Sequence, residues 1–278
     1  MTNYIKSPLN YNGGKYKLLP QILPLFPQDI NMFVDLFCGA CNVGINVQAK
    51  KIICNDSESH VIDLMNTISK MNSDDVCNSI FKIIDKYNLS KTNKEWYLKC
   101  REDYNKHPTW DMFYTLIAYS FNNQIRFNKN GEYNIPFGMN RSDFNNSLQD
   151  KMRAFVKTLN EKDIMFTNND FSLLNPYCLS VEDFVYCDPP YLITTATYNE
   201  QGGWTEQKDK DLMKLLDRLN ESNIKFAMSN VLLHKGSTND ALIEWSKKYN
   251  VHHLNNTYSN CSYHGNRGAS DEVLITNY

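Results

Sequence analysis

The 278-residue sequence has no continuous apolar segment of membrane-spanning length, and Met1-Thr2-Asn3-Tyr4-Ile5-Lys6 lacks the apolar core of a secretory leader. A helical membrane protein is therefore excluded and a cytoplasmic one expected. Among the eight cysteines there is no pair of Cys-x-x-Cys clusters, which argues against a disulfide framework and for a reducing compartment. Cys38 and Cys41 have that spacing, but no second pair completes a zinc site, and we read them as structural. His252-His253 has no partner acid or cysteine at metal spacing, so we read it as a strand-surface or partly buried pair, and no metal is expected. Repeats, low-complexity tracts and flexible linkers are also missing, which leaves one main domain with room for a smaller insertion. The formal charge of −2 gives no global attraction to nucleic acid.

The distribution of charge is more telling. Between Lys82 and Lys157 there are 13 basic and 8 acidic side chains, a net positive stretch in a net negative chain. Such a stretch can hold phosphates locally through counterion release, although a helical insertion with solvated lysines accounts for it too.

Tyr186-Cys187-Asp188-Pro189-Pro190-Tyr191 carries the most chemistry. It follows an apolar run, Val181 to Cys187, that reads as a buried strand, and the two prolines end the strand and remove two backbone donors. An Asp side chain and a neighbouring carbonyl can accept both hydrogens of an exocyclic amine, with Tyr191 as a flat face for the ring bearing it. A Pro-Pro turn with a capping Asp is the plain alternative. Upstream, the strand pattern Met32 to Phe37 runs into Cys38-Gly39-Ala40-Cys41-Asn42-Val43-Gly44, a small-residue turn expected to open a helix and to let backbone approach a ligand. A second strand, Lys51 to Asn55, ends at Asp56, the distance at which a nucleotide-binding βαβ unit has its ribose-binding acid.

Taken with Ser7 to Lys17, Asn128 to Gly138 and Asp271 to Tyr278, these blocks resemble the Dam-type class of DNA adenine methyltransferases, in the family's order and over nearly the whole chain. Cys41 stands where the family's turn usually has its last glycine. The resemblance implies S-adenosylmethionine as methyl donor and the N6 amine of adenine in double-stranded DNA as acceptor. It also implies cofactor contacts from Tyr11, Lys15, Asp35, Phe37, Gly39, Asp56, Asp170, Phe171 and Asp188, and a catalytic role for Asp188, Pro189 and Tyr191. A cognate restriction endonuclease is an implied possible partner, and a monomer or weak dimer is expected.

Helix-like spacing marks Val61 to Ser69, Val76 to Tyr87, Lys94 to Lys106, Trp110 to Phe121 and Lys151 to Leu159. Polar Asn122 to Gly138 interrupts them, and in the resembling family a hairpin here enters DNA. Arg126 is the first candidate for a base contact, then Gln124, with Asn122, Asn128 and Pro136 beside them and Arg267 for a phosphate. Strands at Asp163 to Thr167, Asp183 to Cys187 and Ile224 to Ser229, and a closing antiparallel pair from Val251 to Leu254 and Glu272 to Thr276, complete the pattern. The fold class is α/β: a Rossmann-like doubly wound sheet built from residues 1–56 and 161–278, with a mostly helical target-recognition insertion at 57–160. The polar loop Leu192 to Trp204 is a candidate lid over the site. Transfer to the N4 amine of cytosine is the alternative chemistry, and a catalytically silent DNA-binding relative the alternative class.

Overall fold

The computed structural model describes residues 4–11, 13–194, 203–255 and 270–278. Strands β1 (Ile30–Asp35), β2 (Ala49–Asn55), β3 (Ile164–Thr167), β4 (Phe184–Cys187), β5 (Lys225–His234), β6 (Ser237–Thr238), β7 (Asn250–Leu254) and β8 (Ser270–Thr276) form one sheet. Its order is β3-β2-β1-β4-β5-β8-β7, with β6 paired to β5. The pairs from β3 to β5 are parallel, whereas β8 runs antiparallel to both β5 and β7. This is the expected doubly wound sheet, closed by the expected antiparallel pair.

Two layers cover the sheet because its central strands alternate their side chains. Phe33, Phe184 and Tyr186 join a core that continues into the helices following β2, while Val34, Val185 and Cys187 face a second core. That second core is roofed by α7 (Glu206–Glu221) and α8 (Asp240–Ser246). After the short α1 (Leu19–Ile22) and the first two strands, the chain leaves the sheet for α2 (Ser59–Ile68), α3 (Ser73–Lys86), α4 (Lys94–Lys106), α5 (Trp110–Tyr119) and α6 (Asn146–Asn160). It then returns at β3. Helix α3 starts where the Asn72 side chain accepts from the N–H groups of Asp74 and Asp75, and it buries Val76, Cys77, Ile80 and Ile83 at helical spacing. Helix α6 repeats the device, with Asn145 as cap and Met152, Phe155, Val156 and Leu159 inside. Each such apolar side chain contributes roughly 1.5–3 kcal/mol when fully buried. Among the described residues no helix is long and apolar enough to cross a membrane.

Two local expectations need correction. The strand read from Val181 begins only at Phe184, and Val181 is 62% exposed. Buried Asp183 interrupts the run: its carboxylate accepts from the N–H groups of Met32 and Ser180 and from the Asn31 amide. The turn after β1 opens no regular helix; residues 38–46 form successive turns instead, with Ile45 N–H bonded to Cys41 O and Val47 N–H to Val43 O. Cys41 sits at φ 58, the left-handed region that interrupts a helix, and costs about 1–2 kcal/mol there relative to glycine.

Candidate functional site

The parallel strands end on one edge of the sheet, and the chain order reverses between β1 and β4, which is where ligands bind in open α/β sheets. Register sets Asp35, the last residue of β1, opposite Cys54 of β2 and Tyr186 of β4. Asp188 follows β4 directly. A cavity of about 800 Å³ opens over this edge.

Its floor is the turn after β1, where Asp35, Phe37 and Gly39 all face it. Gly39 has φ 47, and a Cβ there would come within 3.2 Å of the Tyr11 ring, so glycine serves both the turn and the close packing. The Gly39 N–H donates to Asp56 Oδ2 at 2.8 Å, and the Glu58 N–H to Asp56 Oδ1 at 3.0 Å. The acid after β2 therefore stitches the turn in place while still lining the cavity. Asp35 is 1% exposed; its Oδ2 accepts from the Gly44 N–H at 3.2 Å, and its Oδ1 has no hydrogen-bond partner. Burial, and then the neighbouring Asp188 charge, push its pKa well above the usual carboxylate value.

One wall is aromatic. Phe37, Phe171 and Trp204 form a triangle with ring centroids 5.4–5.5 Å apart. Trp204 is held by a 2.9 Å bond from its indole N–H to buried Asp209. Asp170 caps the short turn at 171–173 by accepting from Ser172 N–H and Oγ, and this holds its pKa down.

A second part of the site is ionic. Lys15, 4% exposed, has its ammonium 2.9 Å from Asp188 Oδ1 and 3.6 Å from Glu272 Oε1, and donates to Gly13 O at 2.8 Å. It also sits 4.9 Å from the centre of the Tyr191 ring. The Tyr191 hydroxyl lies 3.2 Å from both Asp188 Oδ1 and Glu272 Oε1, so its single proton serves one of them at a time. Burial raises the Asp188 pKa and the Lys15 charge opposes that rise.

Beside the cavity rises the segment 121–137, closed by bridges between Ser120 and Phe137 and between Phe127 and Tyr133. Helix α4 pins it: Tyr97 and Arg101 donate to Ile135 O, and the Asn105 amide bonds both the N–H and the carbonyl of Tyr133. From α2, His60 stacks on Phe127 with centroids 4.1 Å apart. Arg126 lines the cavity, exposed, with its Nε on Asn134 Oδ1 at 2.8 Å. Asn122 at φ 56 is exposed, and Gln124 is half-buried with its carbonyl accepting from Tyr133. The Asn128 side chain closes the turn, accepting from the N–H groups of Asn130 and Glu132 and donating to the Glu132 carboxylate. Pro136 is exposed while its carbonyl accepts from Phe121 N–H. Neither Asn128 nor Pro136 reaches the cavity. Arg267, its glycine-rich loop 262–268 and residues 195–202 of the lid candidate lie outside the described residues.

A family model for the D12 class N6 adenine-specific DNA methyltransferases matches residues 11–260. The chain belongs to that family. It is 50% identical over 99% of its length to the type II methyltransferase M.FokI of Planomicrobium okeanokoites, and 45% identical over 99% to the modification methylase StsI of Streptococcus sanguinis. It spans 43% of the length of each of these two proteins. Against the DNA adenine methylase of Escherichia coli K12 the identity is 28%, covering 96% of the chain and 93% of that protein.

Two groups of this D12-class site escaped sequence reading: Trp204, which lines the cavity, and Glu272, which contacts Lys15 and Tyr191. Trp204 ends a polar loop with no periodicity to mark it. Glu272 arrives because β8 enters antiparallel at the edge where β4 and β5 end, pairing Glu272 with Val231. The available signal was a charged residue at 3% exposure heading the buried run Val273-Leu274-Ile275, visible only once the partner strand is known.

Proposed function

We propose that this chain transfers a methyl group from S-adenosylmethionine to the N6 amine of an adenine extruded from double-stranded DNA, acting in the cytoplasm as a monomer or weak dimer. The observation that carries the reading is the pairing of Asp35, buried with an unpartnered Oδ1, and Asp188, 2.9 Å from the Lys15 ammonium, at adjacent strand ends of one cavity. An orphaned carboxylate oxygen suits the ammonium of an amino-acid-bearing cofactor, and the Phe37, Phe171 and Trp204 rings suit its purine. The sulfonium supplies a methyl group that leaves with the C–S bonding pair remaining on sulfur. Asp35, Asp56 and Asp170 bind and orient on the cofactor side, with Tyr11 and Gly39 shaping the approach. On the acceptor side, Asp188 Oδ2 takes part in neither the Lys15 nor the Tyr191 contact, and it and the Pro189 carbonyl accept the amine hydrogens. That favours a nitrogen whose lone pair points at the methyl carbon; once the N–C bond has formed the nitrogen gives up one proton through Asp188 Oδ2 to solvent, and the chemistry needs alignment more than acid strength. Tyr191 supports the extruded ring.

Residues 57–160 act as the target-recognition unit, with Arg126, Gln124 and Asn122 meeting DNA and Asn128 and Pro136 holding the shape of the hairpin. The chain's kinship to a protein named a modification methylase supports a cognate restriction endonuclease as partner. Methyl transfer from labelled S-adenosylmethionine to DNA tests the reading. Asp188→Ala should lower the single-turnover rate by about 10²–10³-fold, and near-normal transfer by that variant would refute the assignment. Sequencing of modified bases reports the base and the site together.

A further inference from the structure

Among the described residues one ammonium, Lys15, lies between two carboxylates, Asp188 and Glu272, with Lys15 and Glu272 buried and Asp188 18% exposed. Glu272 comes from a strand two places away from β4, yet its Oε1 touches both groups that touch Asp188, at 3.6 Å to Lys15 Nζ and 3.2 Å to the Tyr191 hydroxyl. Both contacts to Asp188 fall on the same oxygen, Oδ1.

We infer that Glu272 is a positioning residue for methyl transfer: its carboxylate holds Lys15 and Tyr191 on Asp188 Oδ1, so that Oδ2 stays turned to the acceptor amine. The inference rests on the methyl-transfer reading above. It follows from geometry and charge. Were Lys15 to face Asp188 alone, the ammonium would be free to bridge both oxygens and neutralise the acceptor. With Glu272 sharing Lys15, the ammonium neutralises less of the charge on Asp188, where an amine hydrogen must be accepted beside a sulfonium. Among the described residues the charged and titratable groups facing Asp188 are Lys15, Glu272, Tyr191, Tyr186, Asp35 and Cys187.

The experiment is single-turnover methylation of a DNA duplex by the full chain across pH, for wild type and Glu272→Gln, which keeps shape and removes charge. The rate is expected to fall about 10- to 100-fold, more than any change in KM for S-adenosylmethionine. The acid limb of the rate should move to lower pH, because a negative neighbour that raises the Asp188 pKa has gone. A rate within about twofold of wild type, or a loss with the acid limb in place, would overturn the role. If Glu272→Gln does not accumulate folded, Glu272→Asp withdraws the charge by one methylene and should move the limb the same way by less; an unmoved limb there counts against the role equally. Absence of transfer by wild type overturns the reaction and this role together, whereas an active wild type with an indifferent variant overturns only the role of Glu272.

Discussion

Replacing Asp35 with asparagine should move stability and affinity in opposite directions. In the folded chain the Asp35 carboxylate is buried at the end of β1 with one 3.2 Å bond from Gly44 N–H and an unpartnered Oδ1. Asparagine keeps an acceptor for Gly44 and removes the buried charge, relieving about 1–3 kcal/mol of desolvation. For a chain of this size that raises the melting temperature by roughly 2–10 °C. The same change removes a charge-assisted bond to the cofactor's ammonium worth about 1.5–3 kcal/mol, or roughly 10- to 150-fold in Kd. The pH dependence has a definite sign. A carboxylate whose folded pKa is raised contributes stability that is fully present below its unfolded pKa, near 3.8, and is lost as pH rises through the folded value. The stability advantage of Asp35→Asn should therefore be negligible below that unfolded value and grow as pH rises through the raised one. Thermal unfolding across that range, with calorimetric titration of S-adenosylmethionine at neutral pH, reads both effects. Affinity held within about threefold, or a variant both weaker-binding and less stable at neutral pH, would refute the reasoning.

Arg126→Ala should reduce discrimination at one base by about 1–3 kcal/mol, measured as methylation rates on duplexes varied around the modified site. A uniform loss on all sequences, with the salt slope of binding lowered by about one, would instead make Arg126 a phosphate contact. Gly44→Ala should destabilise the fold by about 1–3 kcal/mol in chemical denaturation. The added methyl would stand 2.5 Å from Cys54 Sγ and 3.3 Å from Cys41 Sγ, both buried, and unchanged stability would mean the turn yields more readily than its packing indicates.

Much of this molecule can be read along the chain. Apolar runs mark β1, β2 and β4 because both faces of a central parallel strand are covered, and helical spacing locates α2 to α6 within a few residues because one-sided burial repeats at the helical period. The order of strand, small-residue turn, strand and acid, with Asp-Pro-Pro-Tyr further on, needs only neighbours in sequence, so Asp35, Gly39, Asp56 and Asp188 were all legible and all line one cavity. The regular helix expected after β1 was not found, since a left-handed Cys41 is a backbone property that residue type alone does not announce. Asn128 shows the same limit: an amide suited to a base edge is engaged by the turn that displays its neighbours.

What the sequence determined alone is the family, the sheet and the identity of the acids at strand ends, because those depend on local spacing and burial period. Only the tertiary structure decided who stands beside Asp188. Tyr191 is a neighbour in the motif, but Lys15 and Glu272 come from distant parts of the chain, and an antiparallel strand brings Glu272 back to the edge where the parallel strands stop. Electrostatic coupling depends on distances of 3–4 Å through space, and spacing along the chain carries no record of them.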